Sequence, residues 1–204
     1  MSTRLGILLS GRGSTYDNLV AHIAAGRLDA EIALVVGSRP SAGGLALAAD
    51  HGHPTAVLRE ADAIDQAFAE SDAELIAMCG WMRYWDPPPR WHERVVNVHP
   101  SLLPSFAGKG LYGHHVHEAV LAHGCKLSGC SVHLVQGDYD TGPLLAQRAV
   151  PVHHDDDPDR LAARVQQAER ALYPAVIQAL IDGRMRRQGR HYWIDALDPA
   201  ATDS

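Results

Sequence analysis

Lysine is almost missing from this chain. Its 204 residues hold two, Lys109 and Lys126, and 18 cationic side chains face 24 acids, for a net charge of −6. A general nucleic-acid binder needs a basic surplus to neutralise phosphates, so that class is excluded. Long apolar runs are lacking as well: none approaches the 18 residues of a membrane span. The opening MSTRLGILLSGRGS places one arginine before a short apolar stretch and a glycine turn, too short for a signal-peptide core. A cytoplasmic protein with no membrane partner is expected. Cysteine is scarce, and Cys79, Cys125 and Cys130 are odd in number, which argues for reduced structural thiols over a disulfide framework. Histidine is abundant instead. Nine of the 13 lie between His92 and His154, either a metal or catalytic centre or a habit of composition. With 46% hydrophobic and 21% charged residues the chain is globular, and its length suits one α/β domain.

Aliphatic, β-branched segments alternate with alanine-rich helical ones. Strands are expected at 4–9, 31–36, 54–58, 74–79, 95–98, near 130–135 and at 144–150, with helices at 16–25, 43–51, 61–69, 116–123 and 157–181. Near-continuous apolar strands such as ELIAMC require a sheet covered on both faces, and the alternating order argues for parallel pairing. The fold class is therefore α/β, a single doubly wound, mostly parallel sheet with helices on both faces. After the fifth strand, the two prolines of HPSLLP forbid a helix and set a rigid loop. The last helix opens on DDDPD, with acids and a proline where a helix start favours them. No repeat, long linker or second core interrupts residues 1–195, and 196–204 read as a frayed tail.

Three segments could carry chemistry. Ser10-Gly11-Arg12-Gly13-Ser14-Thr15 joins the first strand to the first helix, where a tight turn and a helix N-terminus would present N–H groups to a phosphate. The loop lacks the third glycine of a dinucleotide fingerprint, because Tyr16 holds that position, and Gly37-Ser38-Arg39 stands where an acid would close the second strand. An NADP-type nucleotide-binding module using Arg39, or a merely tight turn capped by Ser14 or Thr15, are the competing readings. Asn97-Val98-His99-Pro100 presents an amide and an imidazole on the same side of a strand, at the edge where open α/β sheets bind ligands. An amide donor for an oxyanion beside a proton-shuttling histidine suits acyl transfer, whereas a lone N-x-H is more often a satisfied core histidine. Asp138-Tyr139-Asp140-Thr141-Gly142-Pro143 is an ordinary turn by itself, but a carboxylate set beside His99 would raise its pKa and fix its tautomer. His114, His115 and His117 with Cys125 and Cys130 fit no recognised zinc spacing. Gly108-Lys109-Gly110 is either a loop that closes over substrate or an exposed turn.

The order SGRGS, GWMRYW, NVHPSLLPSF, SGCSVHLVQGDYDTGP and AARVQQAERALYP, from about residue 5 to 181, resembles the phosphoribosylglycinamide formyltransferases. That resemblance implies a Rossmann-like formyltransferase fold and a catalytic domain over 1–195. It also implies transfer of a formyl group from 10-formyltetrahydrofolate, a cosubstrate, to the amine of 5'-phosphoribosylglycinamide in purine biosynthesis, without a metal. It implies His99 as general acid/base, Asn97 as the oxyanion donor, and Asp140 as the carboxylate that keeps the histidine protonated and orders water. Gly13, Ser14 and Thr15 match the phosphate loop, and Glu169 the acid near the amine. Met82, Arg83, Tyr84 and Trp85, with Asn97, match the folate pocket, and Gln136, Gly137, Asp138, Tyr139 and Asp140 the loop that closes over the pterin. His133, on the strand before that loop, would support the site.

Thr15 replaces an asparagine common in the family, Trp85 replaces an aliphatic residue, and residues 59–72 are shorter than in many members. Formyltetrahydrofolate hydrolase and other amine formyltransferases of the same fold are the nearest alternatives; their added domains have no counterpart in this sequence. The partners implied are small molecules, with a homodimer compatible and the oligomeric state open.

Overall fold

Residues 2–194 are described by a computed structural model. They form two compact units, one reaching Asn97 and the other starting at Val98. The first contains β1 (Thr3–Leu9), α1 (Ser14–Ala24), β2 (Ala30–Gly37), α2 (Gly43–Asp50), β3 (Thr55–Val57), α3 (Ala61–Glu70), β4 (Leu75–Met78), a 3-10 turn at Pro89–Trp91 and most of β5 (Val95–His99). Its strands lie in the order β3-β2-β1-β4-β5 and pair in parallel. The chain therefore starts mid-sheet, winds outward to β3, and returns to add β4 and β5 on the other side. Strand order reverses between β1 and β4, and the carboxyl ends flanking such a reversal are where open sheets bind ligands. Leu5, Ile7, Leu8 and Leu9 of β1 are wholly buried, and so are Ile76 and Ala77 of β4. Burial on both faces is why these strands read as unbroken apolar runs. Each helix offers a narrower stripe, Tyr16 and Leu19 on α1, Ile64 and Phe68 on α3.

The second unit starts with the end of β5 and adds α4 (His114–Ala122), β6 (Leu127–Leu134), β7 (Leu144–Pro151), α5 (Pro158–Ile181) and a hairpin of β8 (Met185–Gln188) and β9 (His191–Ile194). β6 follows β5 in the sheet, and β7 pairs antiparallel with β6 as the edge strand, so the seven-stranded sheet is mostly parallel, as expected. The start of α5 explains its acids: the Asp157 carboxylate accepts from the Arg160 N–H, Pro158 occupies the first turn, and Asp156 grips Arg164 through two bonds of 2.7 and 2.8 Å.

All twelve expected elements are present. α1 and α4 each begin two residues early and β6 begins at Leu127. The 3-10 turn and the β8–β9 hairpin were not anticipated, because RMRRQGRHYWI has no alternation of apolar and polar residues and turns on Gly189 alone. The tail at 196–204 lies outside the described residues. Among the described residues no helix is long and apolar enough to cross a membrane. All three cysteines are free thiols, Cys79 and Cys130 buried.

Candidate active site

At the carboxyl end of β1 the chain makes a turn that only glycine allows. Gly13 is the N-cap of α1 at φ 89°, and a Cβ there would stand 2.6 Å from the Cα of Gly44. The Gly44 N–H in turn donates to the Gly11 carbonyl at 3.1 Å, locking the start of α2 against this loop. No side chain caps α1, so neither Ser14 nor Thr15 serves as the cap; both lie in the first helical turn, Ser14 exposed and Thr15 half-buried. An uncapped first turn presents backbone donors and the positive end of the helix dipole, the local chemistry a phosphate needs.

Ser10 ties this loop to its neighbours. Its hydroxyl accepts from the Met82 N–H at 3.0 Å and from the Ser38 hydroxyl at 2.9 Å, and its own N–H donates to the Gly80 carbonyl at 3.1 Å. The segments following β1, β2 and β4 are thereby joined by three bonds. Ser38 is spent in this link, and Arg59 donates to its carbonyl at 3.0 Å. Along the stretch after β4, Met82, Arg83 and Tyr84 are exposed. Trp85 is not: its ring is buried 6.3 Å from that of Phe68 on α3, so its side chain belongs to the core and only its backbone could face a folate.

In the second unit, His99 ends β5 and is 4% exposed. Its Nε2 lies 2.9 Å from the Phe106 carbonyl, which can only accept, so Nε2 carries a proton. Its Nδ1 lies 3.5 Å from Asp140 Oδ1. That same oxygen is 3.6 Å from Nε2 of His133, whose Nδ1 donates to the Leu134 carbonyl at 2.9 Å. The other Asp140 oxygen accepts the Gly108 N–H at 3.1 Å. Asp140 is thus shared by two buried imidazoles and one amide. The neck of its loop closes where the Leu134 N–H meets the Pro143 carbonyl at 2.9 Å; Gly142 is forced there, since a Cβ would fall 1.8 Å from the Leu134 carbonyl oxygen. Gln136, Gly137, Asp138 and Tyr139 form the exposed outer part of the loop. Phe106 at φ 53° and Asp140 at φ 56°, both left-handed without being glycine, each set a polar group against the His99 ring.

Burial lowers the His99 pKa from its ordinary value, Asp140 and the Phe106 carbonyl oppose that by raising it, and His133 lowers it further. For Asp140, burial pushes upward, but His133, His99 and the Gly108 amide together prevail and its carboxyl stays below the usual range. Glu169, on α5, is pushed up to about 7 by burial, with Arg170 opposing weakly. Asn97 sits two residues before His99 on β5 and so shares its side of the strand. Among the other histidines, His114 meets Asp159 at 3.1 Å and His115 meets Glu118 at 3.3 Å. His117 is buried, its Nδ1 has no hydrogen-bond partner among the described residues, and burial, aided by His114 and His99, drops its pKa to about 4. Among the described residues no group of three or more histidine, cysteine or acidic side chains is placed to hold a metal ion. Lys109 is exposed, between Gly108 and Gly110 at φ 96° and 91°. The Phe106 carbonyl and the Gly108 amide were not foreseen as site groups; both are backbone groups, which leave no mark in a sequence.

A family model described as formyl transferase matches residues 3–177. Phosphoribosylglycinamide formyltransferase of Escherichia coli (strain K12) is 33% identical over 205 residues, covering 93% of this chain and 92% of the relative. The trifunctional purine biosynthetic protein adenosine-3 of Bos taurus is 33% identical over 204 residues, 94% of this chain, which spans only 20% of that relative's length. Among solved structures, phosphoribosylglycinamide formyltransferase from Anaplasma phagocytophilum superposes with a TM-score of 0.86 at 30% identity, covering 97% of each chain.

Proposed function

The chain belongs to the formyl transferase family, and on that premise we propose that it moves a formyl group from 10-formyltetrahydrofolate to the amine of 5'-phosphoribosylglycinamide, a step of purine biosynthesis. The observation that carries the reading is the polar cluster at the end of β5: His99 held by Phe106 and Asp140, with Asn97 on the same side of the strand. In this scheme the amine nitrogen attacks the formyl carbon, a C–N bond forms, and the bond from that carbon to the folate nitrogen breaks. Asn97 donates to the oxygen on which negative charge develops, and the growing charge favours the imidazolium form of His99. Nε2 of His99 is engaged with Phe106, so Nδ1 is the nitrogen that exchanges protons. A water ordered by Asp140 would carry the proton lost by the amine to the departing folate nitrogen.

Gly13, Ser14 and Thr15 would hold the ribonucleotide phosphate, and Glu169 the amine. A carboxyl titrating near 7 is a better base toward an ammonium group than an ordinary glutamate, so it would help deliver the uncharged nucleophile. Exposed Met82, Arg83 and Tyr84, the backbone of Trp85, and residues 136–140 would receive the folate. Holding both substrates together contributes several kcal/mol through lost translational freedom, on the order of the effective-molarity gains of intramolecular reactions. The reading places the enzyme in the cytoplasm, acting on small molecules as a monomer or homodimer that sedimentation would distinguish.

An absorbance assay of formyl-donor consumption, with and without the ribonucleotide, tests the reading. Consumption should require the ribonucleotide and yield its formylated product. Consumption indifferent to it would mean a hydrolase, and folate-independent dinucleotide binding a nucleotide-binding module.

A further inference from the structure

We infer that Ser131 and Gln147, a cross-strand pair on β6 and β7, are positioning residues that set the His99 ring through the loop at 100–106. The inference rests on the reading of His99 as the group that handles the proton. The contact to be explained is the 2.9 Å bond from His99 Nε2 to the Phe106 carbonyl. Phe106 lies in no helix or strand, and its backbone is held in a conformation that a bulky residue adopts only when its surroundings impose it.

The surroundings are visible. Within the loop, the Ser105 N–H donates to the Leu102 carbonyl at 3.1 Å and the Ser101 hydroxyl donates to the Ser105 carbonyl at 2.6 Å. The closed loop is then fastened to the sheet at one peptide unit. The Leu103 N–H donates to the Ser131 hydroxyl at 3.0 Å, and the Leu103 carbonyl accepts from Gln147 Nε2 at 3.0 Å. Gln147 Nε2 also donates to the Ser131 hydroxyl at 2.8 Å, and that hydroxyl donates to the Ser101 carbonyl at 2.7 Å. A serine hydroxyl has one donor and two acceptor sites, and Ser131, wholly buried, uses all three. Its rotor is therefore fixed, and so is the loop it serves. Ser131 and Gln147 stand opposite each other in the β6–β7 register, so the sheet itself sets their spacing. Gln147 is an exposed residue of an edge strand, where neither core packing nor strand pairing calls for an amide.

Three substitutions separate positioning from bulk stability. Gln147→Met keeps length but removes the donor; Ser131→Ala removes the shared hydroxyl; Ser131→Thr keeps it. In Gln147→Met and Ser131→Ala, kcat should fall at least tenfold with both KM values within twofold of wild type. The 15N resonance of His99 Nε2 in the substrate-free protein should lose its hydrogen-bonded position, and the ring's apparent titration midpoint should move down, because the Phe106 carbonyl raises it. Ser131→Thr should restore kcat and the resonance together. Wild-type kcat in Gln147→Met, or a fallen kcat with an unmoved His99 resonance, overturns the inference. Wild-type turnover in His99→Ala would instead remove the catalytic reading and the functional half of the inference with it, while the resonance still reports whether the loop holds the ring.

Discussion

Glu169 shows how one residue divides stability from function. Its carboxyl titrates near 7 in the fold and near 4.5 in an unfolded chain, so its favourable contribution is complete below about pH 4.5 and lost as pH rises through 7. Above pH 7 the folded chain bears the cost of an ionised, desolvated carboxylate, on the order of 3 kcal/mol for a displacement of this size. Glu169→Gln is therefore expected to raise the urea midpoint at pH 8, to leave it nearly unchanged at pH 4.5, and to lower turnover with phosphoribosylglycinamide at least tenfold. Equal midpoints at pH 8 would contradict the assigned burial. Residue identities such as Asn97, His99 and Asp140 could be singled out in advance because each is a polar type at a strand end or turn. The sign of the His99 shift could not, since it depends on how far burial outweighs a carboxylate 3.5 Å away, a quantity set by packing.

Elements were legible wherever the pattern was strong. Buried parallel strands announce themselves as apolar runs and α5 by its acidic, proline-bearing start, and both appear within a few residues of their expected bounds. The β8–β9 hairpin was silent because its half-buried Met185 is cut off from Tyr192 and Ile194 by three arginines, and exposed Trp193 breaks the alternation between those two. The turn before α1 carries the sharpest consequence at this scale. Replacing Gly13 by alanine would force a side chain into the left-handed region and against the Gly44 backbone, strain of about 1–3 kcal/mol, and would push apart the starts of two helices. Gly13→Ala should raise the Kd for the ribonucleotide at least tenfold by titration calorimetry while the affinity for folate stays within twofold. Parallel losses of both ligands would mean that the unit had unfolded instead.

For the molecule as a whole, the histidine surplus resolves into two roles. One buried group, His99 with His133 at its side, gathers around Asp140, and four exposed histidines, His51, His114, His115 and His154, meet acids at the surface. His117 belongs to neither. It titrates near 4 in the fold against 6.5 unfolded, so its neutral form contributes stability that is complete above pH 6.5 and lost as pH falls through 4. His117→Leu should flatten the acid limb of a stability profile between pH 6.5 and 4, with wild type losing roughly 3 kcal/mol more across that interval. Coincident limbs would show that other groups set the acid sensitivity. With a net charge of −6 and two lysines, the loop at Gly13 offers backbone amides and a helix end as the groups suited to a phosphate, so a composition that excludes a general nucleic-acid binder is compatible with one small anion.

The left-handed backbones of Phe106 and Asp140 carry a consequence for the history of the sequence. Both are placed where glycine would fold with less strain, and both direct a polar group at one imidazole. Glycine at 106 would keep the carbonyl that meets His99, but at 140 selection for heat resistance and selection for turnover would pull in opposite directions. A lineage relieved of the need for catalysis would be expected to drift toward glycine there first, leaving an intact sheet around a ring that no longer keeps its bearing.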